Sequence, residues 1–436
     1  MRAVKQCFLI LAVWMAVSIF YSLRIPMAYK TFWAEDGSLF YQDAANKSFL
    51  ETLKSPAAGY LCLIGRIGGK FTSFFPVQNV TVVNFLFASL VIALCIVTVY
   101  KHSQEFVSKT LLRLIMTLEL VFNPIATFDS LANTANLHFT LPFVLLVILV
   151  SSRKNAKISL LSVLLIILAC LSDPLCIFCF PALLNFNRTG SRVRATLIRS
   201  AYSTIYLTSM LVQFIFTAFY LAQGSRKTAQ EHSIIKTTYL YLDRVVGSTF
   251  IPGWGRVSST DLAPGSLSTK LMFRAVFAIS ILILWSILYV RLFKTQPVIK
   301  AKLVNRDIVL LLFFVCSATY WFIAGITFNP EPRYGIFPAL CLLLVGVVII
   351  DRYMSPGHNL RTGKFVLWTF CLTICATWIL SWTPSSYRIT GPEWKSEVAK
   401  ATNRCVVSKS TSEKLQILPE VKQWFVEVHC ASLRSR

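Results

Sequence analysis

Two adjacent carboxylates open the chemistry of this chain. They lie in Trp33-Ala34-Glu35-Asp36-Gly37, just after a first apolar run, and Asp43 follows seven residues after Asp36. Lys and Arg set the ends and the orientation of a membrane span, so acidic side chains are not needed there. A carboxylate held at a membrane surface beside a cavity can serve as a general base or a metal ligand. If the segment is helical, the spacing puts Asp36 and Asp43 on one face. Both acids of the pair could instead only solvate a helix N-terminus.

Other residues with reactive side chains recur at the ends of apolar runs. They are Asp129, Asn133-Thr134-Ala135-Asn136-Leu137-His138, Ser172-Asp173-Pro174 and Glu331-Pro332-Arg333-Tyr334. Arg333 is a planar fork suited to phosphate, although an Arg at a helix end also snorkels among headgroups. His138 can donate a hydrogen bond or be a structural imidazole. Asp173 can cap a helix whose first turn begins at Pro174.

The elements that must position these groups are membrane spans. The chain has 436 residues, 55% hydrophobic and 14% charged, with mean hydropathy +0.62; a soluble domain carries about a quarter charged residues. Apolar runs suited to a hydrocarbon core of roughly 30 Å predict spans near 6–23, 81–100, 107–122, 137–151, 158–172, 174–187, 200–222, 271–293, 308–326, 336–351 and 364–382. Lipid forces each backbone to satisfy its own hydrogen bonds, so these are helices. The fold class is all-α, a polytopic integral membrane protein of about eleven transmembrane helices.

The net charge of +24 is distributed as a membrane protein distributes it. Lys and Arg fill alternate loops, whereas 123–136 and 327–335 hold one basic residue between them, Arg333. The positive-inside rule then places the N-terminus in the cytoplasm and the C-terminus in the periplasm, and leaves nothing for a nucleic-acid partner to explain. The first apolar stretch lacks a small-residue cleavage site and reads as an uncleaved anchor. Basic stretches at 152–157 and 188–199 share a side only if 158–187 is a hairpin, full or re-entrant. A membrane domain over 1–382 follows, with external loops 24–80, 123–136, 223–270 and 327–335, and a small periplasmic tail over 383–436. Within the first loop, 40–54 and 60–75 read as amphipathic helices lying in the interface.

Ten of the 12 cysteines fall in apolar runs, where Cys behaves as a small hydrophobe; the Cys176-x-x-Cys179 pair is read this way too. Cys405 and Cys430 alone lie in the polar tail, and an oxidising periplasm favours a disulfide between them.

An acidic motif in the first external loop of a many-span protein resembles the GT-C class of glycosyltransferases, which take a sugar from a polyprenyl-phosphate carrier. The external Asn133–His138, Asp173 and Glu331–Tyr334 segments fit that pattern. The size and the short tail, from Gly391-Pro392-Glu393-Trp394 to Trp424 and Cys430, are most similar to bacterial and phage O-antigen glucosyltransferases that convert lipopolysaccharide serotype. The resemblance implies transfer of a sugar, glucose first, to a lipid-linked or cell-surface glycan on the periplasmic face of the bacterial inner membrane. A flippase and a polyprenyl-phosphate sugar synthase would supply the donor.

Displacing the phosphate from sugar C1 needs a base for the acceptor hydroxyl but no general acid, because phosphate leaves readily. Asp36 is the first choice for that base and Glu35 its close competitor. Arg333, His138 and Tyr334 are the candidates at the leaving phosphate. Trp33, Asp43, Asn136, Asp129, Asp173 and Trp254 are candidates for holding substrate, aromatic rings suiting the apolar faces of sugars. The resemblance also raises a divalent cation, Mg²⁺ or Mn²⁺, shared by Asp36 and Asp43. Rival functions are an O-antigen polymerase, which would use arginines of loop 223–270, and a lipid-linked oligosaccharide flippase or transporter. A transporter would place charges inside its spans, and these spans are almost charge-free. No large cytoplasmic domain is present to bind a nucleotide sugar.

Overall fold

The computed structural model describes residues 2–126, 130–152, 158–189, 192–197, 200–223, 234–251, 276, 278–280, 282–283, 287, 313–324, 332–354, 360–382, 388–408, 410–420 and 424–434. Among the described residues five helices are long and apolar enough to cross a membrane: Val4–Arg24, Val77–Ser103, Ala201–Ala222, Pro332–Arg352 and Gly363–Ser381. They coincide with five of the predicted spans. Shorter helices occupy four more, at Thr110–Phe122, Leu141–Ser151, Leu160–Cys170 and Phe313–Ala324. The predicted span 271–293 falls largely outside the described residues.

Leu141–Ser151 is apolar on every side and buried along its length, as a helix at the centre of a bundle must be. Arg2–Arg24, Ala201–Ala222 and Leu360–Ser381 lie at the periphery. Their Phe8, Ile19, Ile215, Phe219, Phe365 and Leu372 are exposed, forming apolar faces of the kind a bilayer covers. The chain is a helical membrane protein.

Among the described residues the chain departs from the all-α expectation in two places. Pro174–Leu183 is a 3₁₀ helix rather than the start of an α-helical span, and the chain then turns into an antiparallel hairpin, Leu184–Thr189 with Arg192–Leu197. Pro181 removes a backbone donor inside that run, and Asn185 and Asn187 are poor helix formers. A second hairpin, Ser412–Gln416 with Phe425–His429, lies in the tail. The spans are also less free of charge than the sequence pattern predicts. Glu119, in Thr110–Phe122, is buried and accepts from Trp378 Nε1 at 2.5 Å. Arg24 is buried beside it and donates to the carbonyls of Val121, Asn123 and Ala126 at 2.7, 2.8 and 2.8 Å, closing the C-terminal end of the same helix.

One end of the bundle collects the polar segments. Helix Leu63–Ser73 begins against the tip at 171–173, with Leu63 N donating to Leu171 O at 3.0 Å and Ile64 N to Ser172 Oγ at 2.9 Å. Its Gly65, Gly68 and Gly69 form a bare face. A Cβ at Gly69 would stand 2.4 Å from Phe40 O, and one at Gly68 would stand 2.8 Å from the Thr134 side chain. This helix is the floor on which the acidic motif and the 134–139 turn rest. The part of loop 223–270 that is described, 234–251, is helical and buried in the same apolar core as the spans, through Leu240, Tyr241, Val245 and Val246.

The tail folds against the first loop. Helix Trp394–Val407 and the second hairpin share a core with Phe32, Tyr41, Val77 and Val80, and Cys405 and Cys430 form a disulfide with a Cα–Cα distance of 5.5 Å. Leu418 N donates to Phe32 O at 3.1 Å and Ala34 N to Leu418 O at 2.5 Å, so Trp33 and Leu418 pair as in a parallel sheet.

Candidate active site

The acidic motif runs into a wide π-turn, Asp36–Tyr41. Such turns hold one more residue than an α-turn, and the extra residue swings Asp43 off the face that Asp36 occupies. The two carboxylates accordingly find separate partners. Asp36 is buried and accepts four hydrogen bonds. Asn84 Nδ2 and Thr134 N donate to Oδ2 at 2.9 and 3.2 Å, and Thr134 Oγ1 and Ala135 N donate to Oδ1 at 2.7 and 2.7 Å. It thereby caps the 3₁₀ turn Ala135–Phe139, which carries Asn136 and His138. Burial pushes the Asp36 carboxyl above its usual range, while the bonds from Thr134, Asn84 and Ala135 and the nearby Arg388 draw it back.

Asp43 pairs with the buried guanidinium of Arg66 and with Lys47, the latter at 2.8 Å. Arg66 also donates to the carbonyls of Ser55 and Pro56, at 3.1 and 2.8 Å, so this pair pins the loop from below. Asp36 and Asp43 do not fit a shared divalent cation in this arrangement, since the oxygens of both are committed to donors. Among the described residues no group of three or more His, Cys, Asp and Glu side chains is placed to hold a metal ion.

Glu35 behaves differently from its neighbour. Its side chain is half-buried, and Oε2 is shielded from solvent with no hydrogen-bond partner. Cys62, buried at the start of Leu63–Ser73, lies within electrostatic reach of both Glu35 and Asp173. Tyr60 in turn lies within reach of Asp173, Tyr334 and Arg333. Asp173 is buried at the hairpin tip, accepting from Leu175 N at 2.8 Å and from Tyr320 OH at 3.0 Å. Burial raises its carboxyl to about 7 against those two bonds.

Arg333 and Tyr334 lie in the short 3₁₀ turn Pro332–Gly335. The Arg333 guanidinium stands 5.9 Å from the rings of both Phe139 and Tyr334, and those rings meet edge to face at 5.1 Å. His138 is within electrostatic reach of Arg333, and its Nδ1 lies 2.5 Å from Ala135 O. A carbonyl only accepts, so Nδ1 carries the hydrogen, and a neutral His138 has its lone pair on Nε2.

The turns that carry His138 and Arg333 therefore meet through Phe139 and Tyr334, Glu35 adjoins the first of them through Asp36, and Asp173 is held separately by Tyr320 with Tyr60 and Cys62 within electrostatic reach. Asn136 is buried in the capped turn with its N–H on Asn133 Oδ1 at 3.0 Å, and Asp43 faces away. Trp33 is buried under the tail, its ring 5.3 Å from the Arg388 guanidinium. Asp129 and Trp254 lie outside the described residues.

Strain marks the same neighbourhood. Ala34, Ala58 and Ala132 hold φ of 26°, 51° and 58°, a region L-residues seldom occupy. Ala34 precedes Glu35, Ala58 forms the turn that presents Tyr60, and Ala132 precedes the Asn133–His138 segment. Strain of this kind persists where surrounding contacts over-determine the backbone, and it clusters at functional sites. No protein-family model matches this chain and no curated protein matches it, so the functional reading rests on the chemistry of these residues.

Proposed function

We propose that the chain is a membrane glycosyltransferase that moves a sugar, with glucose the first candidate, from a polyprenyl-phosphate carrier to a cell-surface glycan such as lipopolysaccharide O-antigen. The reaction takes place on the periplasmic face of the bacterial inner membrane. Glu35 takes the proton of the acceptor hydroxyl as that oxygen bonds to sugar C1. The bond from C1 to the phosphate oxygen breaks with its electron pair, and the charge left on the phosphate is met by Arg333, with Tyr334 and His138 beside it. Asp36 has the lesser claim to be the base, because taking a proton would cost it at least one of four accepted bonds. Its role is to hold the His138 turn beside the motif.

The observation that carries this reading is the shielded, unpartnered oxygen of Glu35, next in the chain to the Asp36 that caps the turn on which Phe139 meets Tyr334. A carboxylate oxygen without a donor is a poor structural device and a competent proton acceptor. The test uses membranes carrying the protein, labelled polyprenyl-phosphate-glucose and a lipid-linked glycan. Label should pass to the glycan; no transfer from that donor, or from other hexosyl carriers, would overturn the reading. A flippase or transporter is the second reading, because Glu119 is an ionisable group buried within an apolar helix, with Arg24 buried beside it. In that case the glycan would cross the membrane without gaining label.

A further inference from the structure

Arg388 attracts no notice in the sequence, lying in the short link between the last span and the tail. In the structure it is buried, and it touches both halves of the site from behind. Its guanidinium lies over the Trp33 ring, 5.3 Å from the centroid, and one Nη donates to Leu131 O at 3.4 Å. It also lies within electrostatic reach of Asp36. The other groups facing Asp36 are Asn84 from helix Val80–Ser103 and Thr134 and Ala135 from the turn, all neutral; Glu35 is its chain neighbour. Just beyond Arg388, Gly391 lies against Leu418, where a Cβ would stand 2.4 Å from a side-chain carbon, and Leu418 pairs with the backbone on both sides of Trp33.

We propose that Arg388 is a positioning residue of this site. By stacking on Trp33 and balancing the buried charge of Asp36, it keeps the Glu35–Asp36 turn in register with the Asn133–His138 turn and makes the disulfide-closed tail part of the site. An Arg suits this role better than a Lys, since a planar guanidinium can stack and donate in its own plane at once. The effect on turnover rests on the transferase reading above, but the holding contact does not.

The test compares Arg388→Gln and Arg388→Lys in the full-length protein in detergent or nanodiscs, by thermal midpoint across pH and by transfer kinetics. Without the cation, ionised Asp36 is left uncompensated. Arg388→Gln should therefore unfold several degrees below wild type at about pH 7.5 and by a smaller margin at about pH 4.5, because proton uptake by Asp36 removes the charge that the cation balances. Arg388→Lys keeps the charge and should show a small deficit that does not change with pH. In transfer, Arg388→Gln should lose at least about tenfold in kcat with donor KM little changed, and Arg388→Lys should recover part of the rate. A Gln deficit equal at both pH values, or a Lys variant indistinguishable from Gln, would overturn the proposal and leave Arg388 as packing. If Arg388→Gln does not accumulate, it is made in the Asp36→Asn background, where no charge needs balancing: recovery of folded protein there supports the contact, and failure in both backgrounds overturns it. Wild-type protein that transfers nothing, yet shows the pH-dependent deficit, would sink the transferase reading and leave the contact standing.

Discussion

Asp36→Asn is nearly isosteric and isolates the role of the acceptors. The amide keeps one oxygen and converts the other into a donor, so two of the four bonds lose their acceptor whichever way it settles. With the NH₂ on the side of Asn84, that residue can flip to receive it. It then surrenders the bond it accepts from Thr134 Oγ1 at 3.1 Å, and Thr134 N is left without a partner. A hydrogen bond to a charged acceptor contributes about 1.5–3 kcal/mol, and a buried orphan donor costs about 1–3 kcal/mol. Removing the buried charge offsets part of this. A net loss of about 2 kcal/mol at the capped turn corresponds to roughly a thirtyfold larger opening equilibrium. Hydrogen exchange read by mass spectrometry on a peptide covering 130–140 should accelerate by that order, while peptides from Leu141–Ser151 keep wild-type protection. Unchanged exchange across the turn would refute the cap and with it the positioning role of Asp36.

Three further outcomes follow from the packing and the electrostatics. Asp173 has its folded carboxyl raised to about 7 from an ordinary 3.8, so its contribution is full below about pH 4 and is lost as pH rises through 7. Asp173→Asn should remove that slope from the thermal-midpoint profile and be the more stable protein above neutrality; an unchanged slope would assign the pH dependence elsewhere. Gly69→Ala should destabilise by about 3 kcal/mol in thermal unfolding, because its Cβ would press on backbone at Phe40, although helix propensity alone predicts a gain of about 1 kcal/mol. The Cys405–Cys430 bond closes a separation of 25 residues, so reducing it should cost the tail about 3 kcal/mol and expose it to protease. A reduced tail that stays resistant would contradict that figure.

The membrane helices could be read from the sequence because their apolar runs are long and dense, and the acidic motif stood out because charge is rare around it. The site's neighbourhood was legible in part: Glu35, His138, Asp173, Arg333 and Tyr334 each sit beside a helix end, which short-range pattern reveals. What the sequence hid is long-range. Asn84 and Thr134 meet Asp36 across 48 and 98 positions, and no local pattern marks either. The π-turn that separates Asp43 from Asp36 has no periodic signature, so a seven-residue spacing was read as an α-helical face. Gly65, Gly68 and Gly69 were a usable signal, since closely spaced small residues on an amphipathic helix mark a close backbone approach. The hairpin at 184–197 has no clear sequence signal because its apolar approach, Pro174–Leu183, resembles a span, and only Pro181 argues against helix continuation. Glu119 is a single charge in an apolar run, and such a charge is itself a signal.

The most direct test of the central claim is the turnover of Glu35→Gln with labelled polyprenyl-phosphate-glucose and a lipid-linked glycan. The substitution keeps size and shape and removes the proton acceptor, so kcat should fall by roughly 10²- to 10⁴-fold while donor KM and thermal midpoint stay at wild-type values. A Glu35→Gln protein that turns over within about twofold of wild type would contradict the assignment of Glu35 as the base.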